Sequence, residues 1–277
     1  MTTTGNDNYS CAQAASSSTP KRTLNSGIGC LRPGDTLYVR GGVYPEALDG
    51  NVPSGTSWSN TVRIAAYPGE TVWMRPSGSN RVLHFDGAQQ YIEFDGINLD
   101  GTNALYDVVK IDAGVGYNAH HIRLQNAELV AVNGGADPDY STIILATGMA
   151  ANNIGGNQFI NLTLHGGGTA DFSNSIYIQT PNNLVDGCNI YDGSGAGVQI
   201  YNGYNHDMPG GNIIRNNVIH DFTRVVTGGR ADGVIIAGGT GNQIYNNLFY
   251  NIRPNASGSA VIHVARGARG HLFDATR

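Results

Sequence analysis

Residues 212–222 read NIIRNNVIHDF, and thirty residues later 242–252 read NQIYNNLFYNI. A phrase that returns at a fixed interval constrains the fold more than any single motif, because each copy must be one supersecondary unit stacked on the next. The pattern recurs in YIEFDGINLDG (91–101), HIRLQNAELVA (121–131), QFINLTLHGGG (158–168) and NLVDGCNIYDG (183–193). Aligning Phe94, Leu124, Phe159, Val185, Ile214 and Ile244 gives spacings of 30, 35, 26, 29 and 30 residues. Within each copy apolar residues alternate, break at a polar residue or glycine, then alternate again, which is strand, turn, strand rather than a helical stripe. Two residues after each anchor stand Gly96, Asn126, Asn161, Gly187, Asn216 and Asn246. Glycine and asparagine tolerate left-handed backbone, and stacked asparagine amides can hydrogen-bond between coils, so this position reads as a corner.

A second family of strands lies between the phrases: DVVKID (107–112), STIILA (141–146), SIYIQT (175–180), GVQIYN (197–202), GVIIAG (233–238) and AVIHVA (260–265). About three short strands per coil, stacked in parallel, bury a continuous apolar column and leave open sheet edges only at the ends. The expected fold is therefore all-β, a single-domain right-handed parallel β-helix of about seven or eight coils, the hand following the rule for parallel crossovers. Its core is predicted to hold Phe94, Leu99, Leu124, Phe159, Leu164, Val185, Ile190, Ile214, Ile219 and Ile244. Residues 1–30 are expected to cap the solenoid, with a short helix in 20–30; residues 31–265 form it, and 266–277 are a tail or a truncated end.

Composition narrows the function. Only 13% of residues are charged while glycine occupies 39 positions, which excludes a helical bundle and a charge-rich disordered chain. The net charge of −5 provides no basic field, arguing against nucleic acid as a partner, and no run approaches 18 apolar residues, arguing against a membrane span. Residues 1–10 carry no basic-then-apolar leader, so an exported form is expected to be mature. A disulfide between Cys11 and Cys30 would close a loop and fit an oxidising compartment, outside the cell or on its surface; two unpaired thiols are the alternative. Cys188 stands at an apolar position of the repeat and reads as a buried thiol.

CAQAASSSTPKRTLNSGIGCLRPGDTLYVRGGVYPEAL, AAYPGETVWMRP and YIEFDGINLDG resemble the opening of pectin-lyase-like right-handed β-helix proteins, the likeness covering residues 8–265. PGDTLYVRGGVY marks the first coil. The resemblance implies a polysaccharide or oligosaccharide partner lying along one outer face, and a lyase, hydrolase, epimerase or fibre role; fold alone does not choose among these.

Alternation assigns that face. Lys110 and Asp112 point outward in DVVKIDA, Tyr177 and Gln179 in SIYIQT, Gln199 and Tyr201 in GVQIYN, and His263 in AVIHVA, with Ile262 and Val264 inward. Such side chains suit sugar hydroxyls and ring faces. The adjoining loops add His206 and Asp207, then Arg224, Arg230 and Asp232. β-Elimination beside a uronate carboxylate needs a base, an acid and a neutralising charge. Lys110, one of only two lysines, or Arg230 is the expected base, and His206 or Tyr201 the acid. Tyr177, Gln179, Gln199, Asp207, Arg224, Asp232 and His263 are expected to contact substrate.

Asp137 and Asp139, with Asp112 in the preceding coil, form a candidate calcium set, although Asp-Pro-Asp is also an ordinary turn. Asp207 and Asp232 are the carboxylates a hydrolase would use. His120, His121, His165, His220 and His271 lack metal-ligand spacing and read as corner or surface residues. The expected function is a polysaccharide lyase on a uronic-acid-containing glycan, against a glycoside hydrolase or a noncatalytic glycan-binding or fibre module.

Overall fold

The computed structural model describes residues 1–114, 116–130, 142–148, 154–168, 173–203, 205–207, 209–223, 231–252, 260–265 and 270–274. Its strands form three parallel sheets, the first of nine strands and the second and third of eight each, every strand pairing with its counterpart one coil away. The six anchors aligned in sequence are direct neighbours in the first sheet: Phe94 pairs with Leu124, then Phe159, Val185, Ile214 and Ile244 follow in register. All ten residues predicted for the core are at most 2% exposed. The chain is thus a parallel β-helix, its core a column of apolar residues one layer per coil.

The corner after the first sheet has left-handed backbone in each repeat, with φ between 50° and 70° at Gly96, Asn126, Asn161, Gly187, Asn216 and Asn246. The exposed amides ladder as expected: Asn161 Nδ2 donates to Asn126 Oδ1 at 2.8 Å, and Asn246 Nδ2 to Asn216 Oδ1 at 2.6 Å. The second Asn of each Asn-Asn pair does something different. Asn217 and Asn247 are buried, and Asn217 donates from its backbone N and its Nδ2 to Asn247 Oδ1 at 3.0 and 2.9 Å. A third ladder, Asn157, Asn183, Asn212 and Asn242, is buried where the chain enters the first sheet. Each Oδ1 there accepts a backbone N–H from the adjacent coil, satisfying donors that the turn would otherwise bury unpaired.

Over the first coil lies the helix Leu24–Ile28, with Leu24 and Ile28 fully buried in the core. Thr23 caps it, accepting from the Ser26 N–H, and the Glu46 carboxylate accepts from the Leu24 and Asn25 N–H groups at 2.8 and 3.1 Å. A disulfide joins Cys11 to Cys30, tying the segment before this helix to the residues after it. Cys188 is the buried thiol expected, pushed up to about 12 by burial. At the other end, Leu272–Asp274 adds the ninth strand of the first sheet, pairing with Gln243–Tyr245. Ile262 and Val264 hold inward registers opposite Val234 and Ile236, yet Val264 is 45% exposed and Phe273 44%, since both stand in the last described strands of their sheets.

Candidate functional site on the third sheet

The third sheet runs through Leu48–Asp49, Leu83–Phe85, Val109–Ala113, Ile144–Gly148, Ile176–Ile178, Ala196–Ile200, Asp232–Ile236 and Ile262–Val264. Its register stacks one outward file: Asp49, His84, Lys110, Leu145, Tyr177, Gln199, Ile235 and His263. A second file, two residues along, begins with Asp112 opposite Thr147 and continues in the following coils with Gln179 and Tyr201. Val109 and Ile111 are buried beneath Lys110 and Asp112, as alternation requires. Leu145 and Ile235 break the polar file, and both are nearly buried, at 8% and 6% exposure.

The densest chemistry is at the N-terminal end of these files. Lys110 Nζ lies 2.9 Å from Asp112 Oδ2, Thr147 Oγ1 donates to Asp112 Oδ1, and His84 Nε2 lies 3.5 Å from Asp112 Oδ2. Burial would raise the Asp112 carboxyl, but His84, Thr147 and Lys110 together outweigh it and hold the group well below the usual carboxylate range. Asp112 is therefore a fixed anion that orients Lys110. On its other side His84 meets Asp49, Nδ1 to Oδ1 at 2.7 Å. Gln179, whose Oε1 accepts from the Gly148 N–H at 3.2 Å, continues the surface toward the C-terminus.

Asp107, just before the same strand, is buried with Arg81 Nε 3.3 Å from its Oδ2. Burial pushes its carboxyl up to about 6 against the pull of Arg81. A carboxyl raised on folding gives stability that is full below its unfolded value of about 4 and is lost as pH rises through about 6. Urea midpoints of the wild type and of Asp107→Asn, compared across this range, should therefore show the wild type losing ground as pH rises and the difference levelling off above about 7. A pH-independent difference would contradict this assignment.

The remaining expected residues divide. Tyr201 and His206 lie together, rings 5.3 Å apart in edge contact, while Asp207 is exposed beside them. Lys110 and Tyr201 are separated by three strand steps, about 14 Å at roughly 4.8 Å each. They cannot form one acid–base pair, and the face carries two separate zones. Gln199 Oε1 accepts from Asn174 Nδ2 at 2.8 Å. Asp232 corrects the loop reading: it is the first residue of its strand, fully buried, and accepts from the Ala260 N–H, so it neither faces a glycan nor pairs with Asp207. Asp137, Asp139, Arg224 and Arg230 lie outside the described residues.

Other outer faces carry aromatic and charged clusters. Beside the first sheet, Tyr91 and His121 hold left-handed corners and pack ring to ring at 4.7 Å, with Arg123 lying 4.3 Å over Trp58. The charges there are mutually satisfied: Arg123 pairs with Glu93 at 2.9 Å, and Arg63 with Glu93 and Asp95. On the second sheet His165, Tyr191, His220 and Tyr250 stack at 4.6 to 5.1 Å, spending their ring faces on one another. Cavities of about 340 and 350 Å³ lie at the N-terminal cap and at the Tyr67–Asn126 corner, away from the polar files. An extended polymer needs an open face rather than a closed hole.

No protein-family model matches the chain, and no curated protein matches it. Solved structures do. A rhamnogalacturonan lyase is similar with a TM-score of 0.61 at 13% identity, over 91% of this chain and 67% of that one. An alginate lyase from a Paenibacillus species gives 0.58 at 13% identity, over 90% of this chain and 92% of that one. A pectate lyase gives 0.52 at 15% identity, over 99% and 77% respectively. Likeness at this identity speaks for architecture, and with three parallel sheets coiling about one apolar column it identifies the fold as a right-handed parallel β-helix.

Proposed function

We propose that the outer face of the third sheet binds an acidic glycan and that the protein is a polysaccharide lyase cleaving uronic-acid linkages by β-elimination. The observation that carries this reading is the Lys110–Asp112–Thr147 arrangement, where a fixed anion holds an amine on the outer face of the sheet. In its neutral form Nζ takes the proton on the carbon beside the uronate carboxylate. The electron pair forms the new double bond, the bond to the leaving oxygen breaks, and the ammonium so formed returns its proton to that oxygen. Tyr177, Gln179, Gln199 and Tyr201 extend the surface over further sugar units, with ring faces and amide donors suited to hydroxyls. The Cys11–Cys30 disulfide supports work in an oxidising compartment, outside the cell or at its surface.

The test is a panel of pectate, alginate, glycosaminoglycan and neutral glycans, each with calcium or a chelator, read by ultraviolet absorbance of unsaturated ends and by reducing sugar. New absorbance on an acidic glycan is expected. Reducing ends without absorbance would make the protein a hydrolase, and binding without either signal a noncatalytic module.

A further inference from the structure

His84 stands between two carboxylates, and only one of its ring nitrogens has a hydrogen-bonding partner. Nδ1 lies 2.7 Å from Asp49 Oδ1, and Nε2, buried and without a hydrogen bond of normal geometry, lies 3.5 Å from Asp112 Oδ2. A neutral ring carries one N–H, so whichever nitrogen holds it, the other turns a lone pair toward a carboxylate. A cation between Nδ1 and the carboxylates on its side would leave the ring N–H on Nε2, facing Asp112. The surroundings favour the cation. Asp86 brings a second carboxylate, and ligand atoms of Asp49, His84 and Asp86 all lie within 4.8 Å of one another. The Asp86 carboxylate packs against Gly50, which has left-handed backbone at φ 65°; a Cβ there would meet Asp86 Oδ1 at 2.2 Å. Any side chain at position 50 would displace that carboxylate, so the cradle is built for it.

We propose that Asp49, His84 Nδ1 and Asp86 bind a divalent transition cation of the zinc class at the N-terminal end of the third sheet's outer face, with Asp112 as the carboxylate that orients His84 through Nε2–H. One imidazole and two carboxylates suit zinc, cobalt or manganese better than calcium, which prefers oxygen alone. Three protein ligands leave coordination positions for solvent, and Asp49, its side chain 65% exposed, puts the site at the rim. A ligating histidine held by a carboxylate on its other nitrogen is the usual outer-shell arrangement, which here gives Asp112 a second task beside Lys110. The proposal does not depend on the glycan reading.

The experiment is metal titration of the full chain. After chelator treatment and dialysis, Zn²⁺ is followed by calorimetry and elemental analysis, and Co²⁺ by its visible absorption. One equivalent of Zn²⁺ with release of bound protons, and a Co²⁺ spectrum of low coordination number, are expected. His84→Ala and Asp86→Asn should abolish both signals, whereas Asp112→Asn should weaken binding by about 10–100-fold. His220→Ala controls for surface histidines and should bind as the wild type does. Thermal melts of each variant separate lost ligands from lost fold, and Asp86→Asn, a near-isosteric change at a partly exposed side chain, keeps the test available if His84→Ala unfolds. Absence of a stoichiometric site in the wild type, or binding undiminished in folded His84→Ala or Asp86→Asn, overturns the proposal.

Discussion

Replacing Asn183 by Ala should destabilise the protein by about 4 kcal/mol, as much as truncating a large core side chain. Asn183 is 1% exposed, and its Oδ1 accepts both the Asn157 backbone N–H and Asn157 Nδ2 at 2.9 Å. Its Nδ2 donates to Thr180 O and Asn212 Oδ1, each at 2.8 Å. Truncation strands two buried donors on one coil and the Thr180 carbonyl on its own, at about 1–3 kcal/mol for each group left unpaired, while Asn212 Oδ1 keeps the backbone N–H of residue 183. Asn246→Ala supplies the comparison. That side chain is exposed and donates once, to Asn216, so the loss is confined to that bond and to about 1–2 kcal/mol for a non-glycine residue held left-handed. Urea denaturation of the two variants checks the ranking. Equal, small losses would show that the inner ladder adds little to the stacking of apolar layers.

That ladder also marks where sequence ceased to be informative. The positions of Gly96, Asn126, Asn161, Gly187, Asn216 and Asn246 were legible because a corner needs left-handed backbone and few residues supply it. Asn217 and Asn247 share the same dipeptides, yet their burial depends on which coil lies beneath, which composition does not encode. The outward file from Lys110 to His263 followed from period-two alternation. Its apolar members, Leu145 and Ile235, were equally available by that rule in STIILA and GVIIAG. Asp232 misled because the visible alternation in GVIIAG begins at 233, whereas the strand begins one residue earlier and takes the carboxylate inside. Asp49, His84 and Asp86 escaped notice because the repeat is degenerate in the first coils, where the third-sheet strands shrink to Leu48–Asp49 and Leu83–Phe85. Extrapolating the period backward from Lys110 would have reached His84, but not the carboxylates gathered around it.

Lys110 carries the second large effect. Its side chain is 21% exposed and that of Asp112 14%, so removing the cation leaves a largely buried carboxylate and should cost about 1–3 kcal/mol of stability. Its loss as a base, however, should lower turnover by about 10²–10⁴-fold. Lys110→Arg separates charge from proton transfer, since a guanidinium keeps the cation and cannot be deprotonated. It should therefore bind an acidic glycan and fail to cleave it. Asp112→Asn frees the amine from its anchor while leaving the base present, and should cost less than either substitution at position 110.

The most direct measurement is the initial rate of unsaturated-end formation by wild type, Lys110→Ala and Lys110→Arg, on the acidic glycan that the wild type cleaves fastest and with melting curves confirming that all three are folded. Near-complete loss in both variants, with glycan binding kept by Lys110→Arg, is the predicted result. Full turnover in either variant would contradict Lys110 as the base and move the chemistry away from this end of the third sheet.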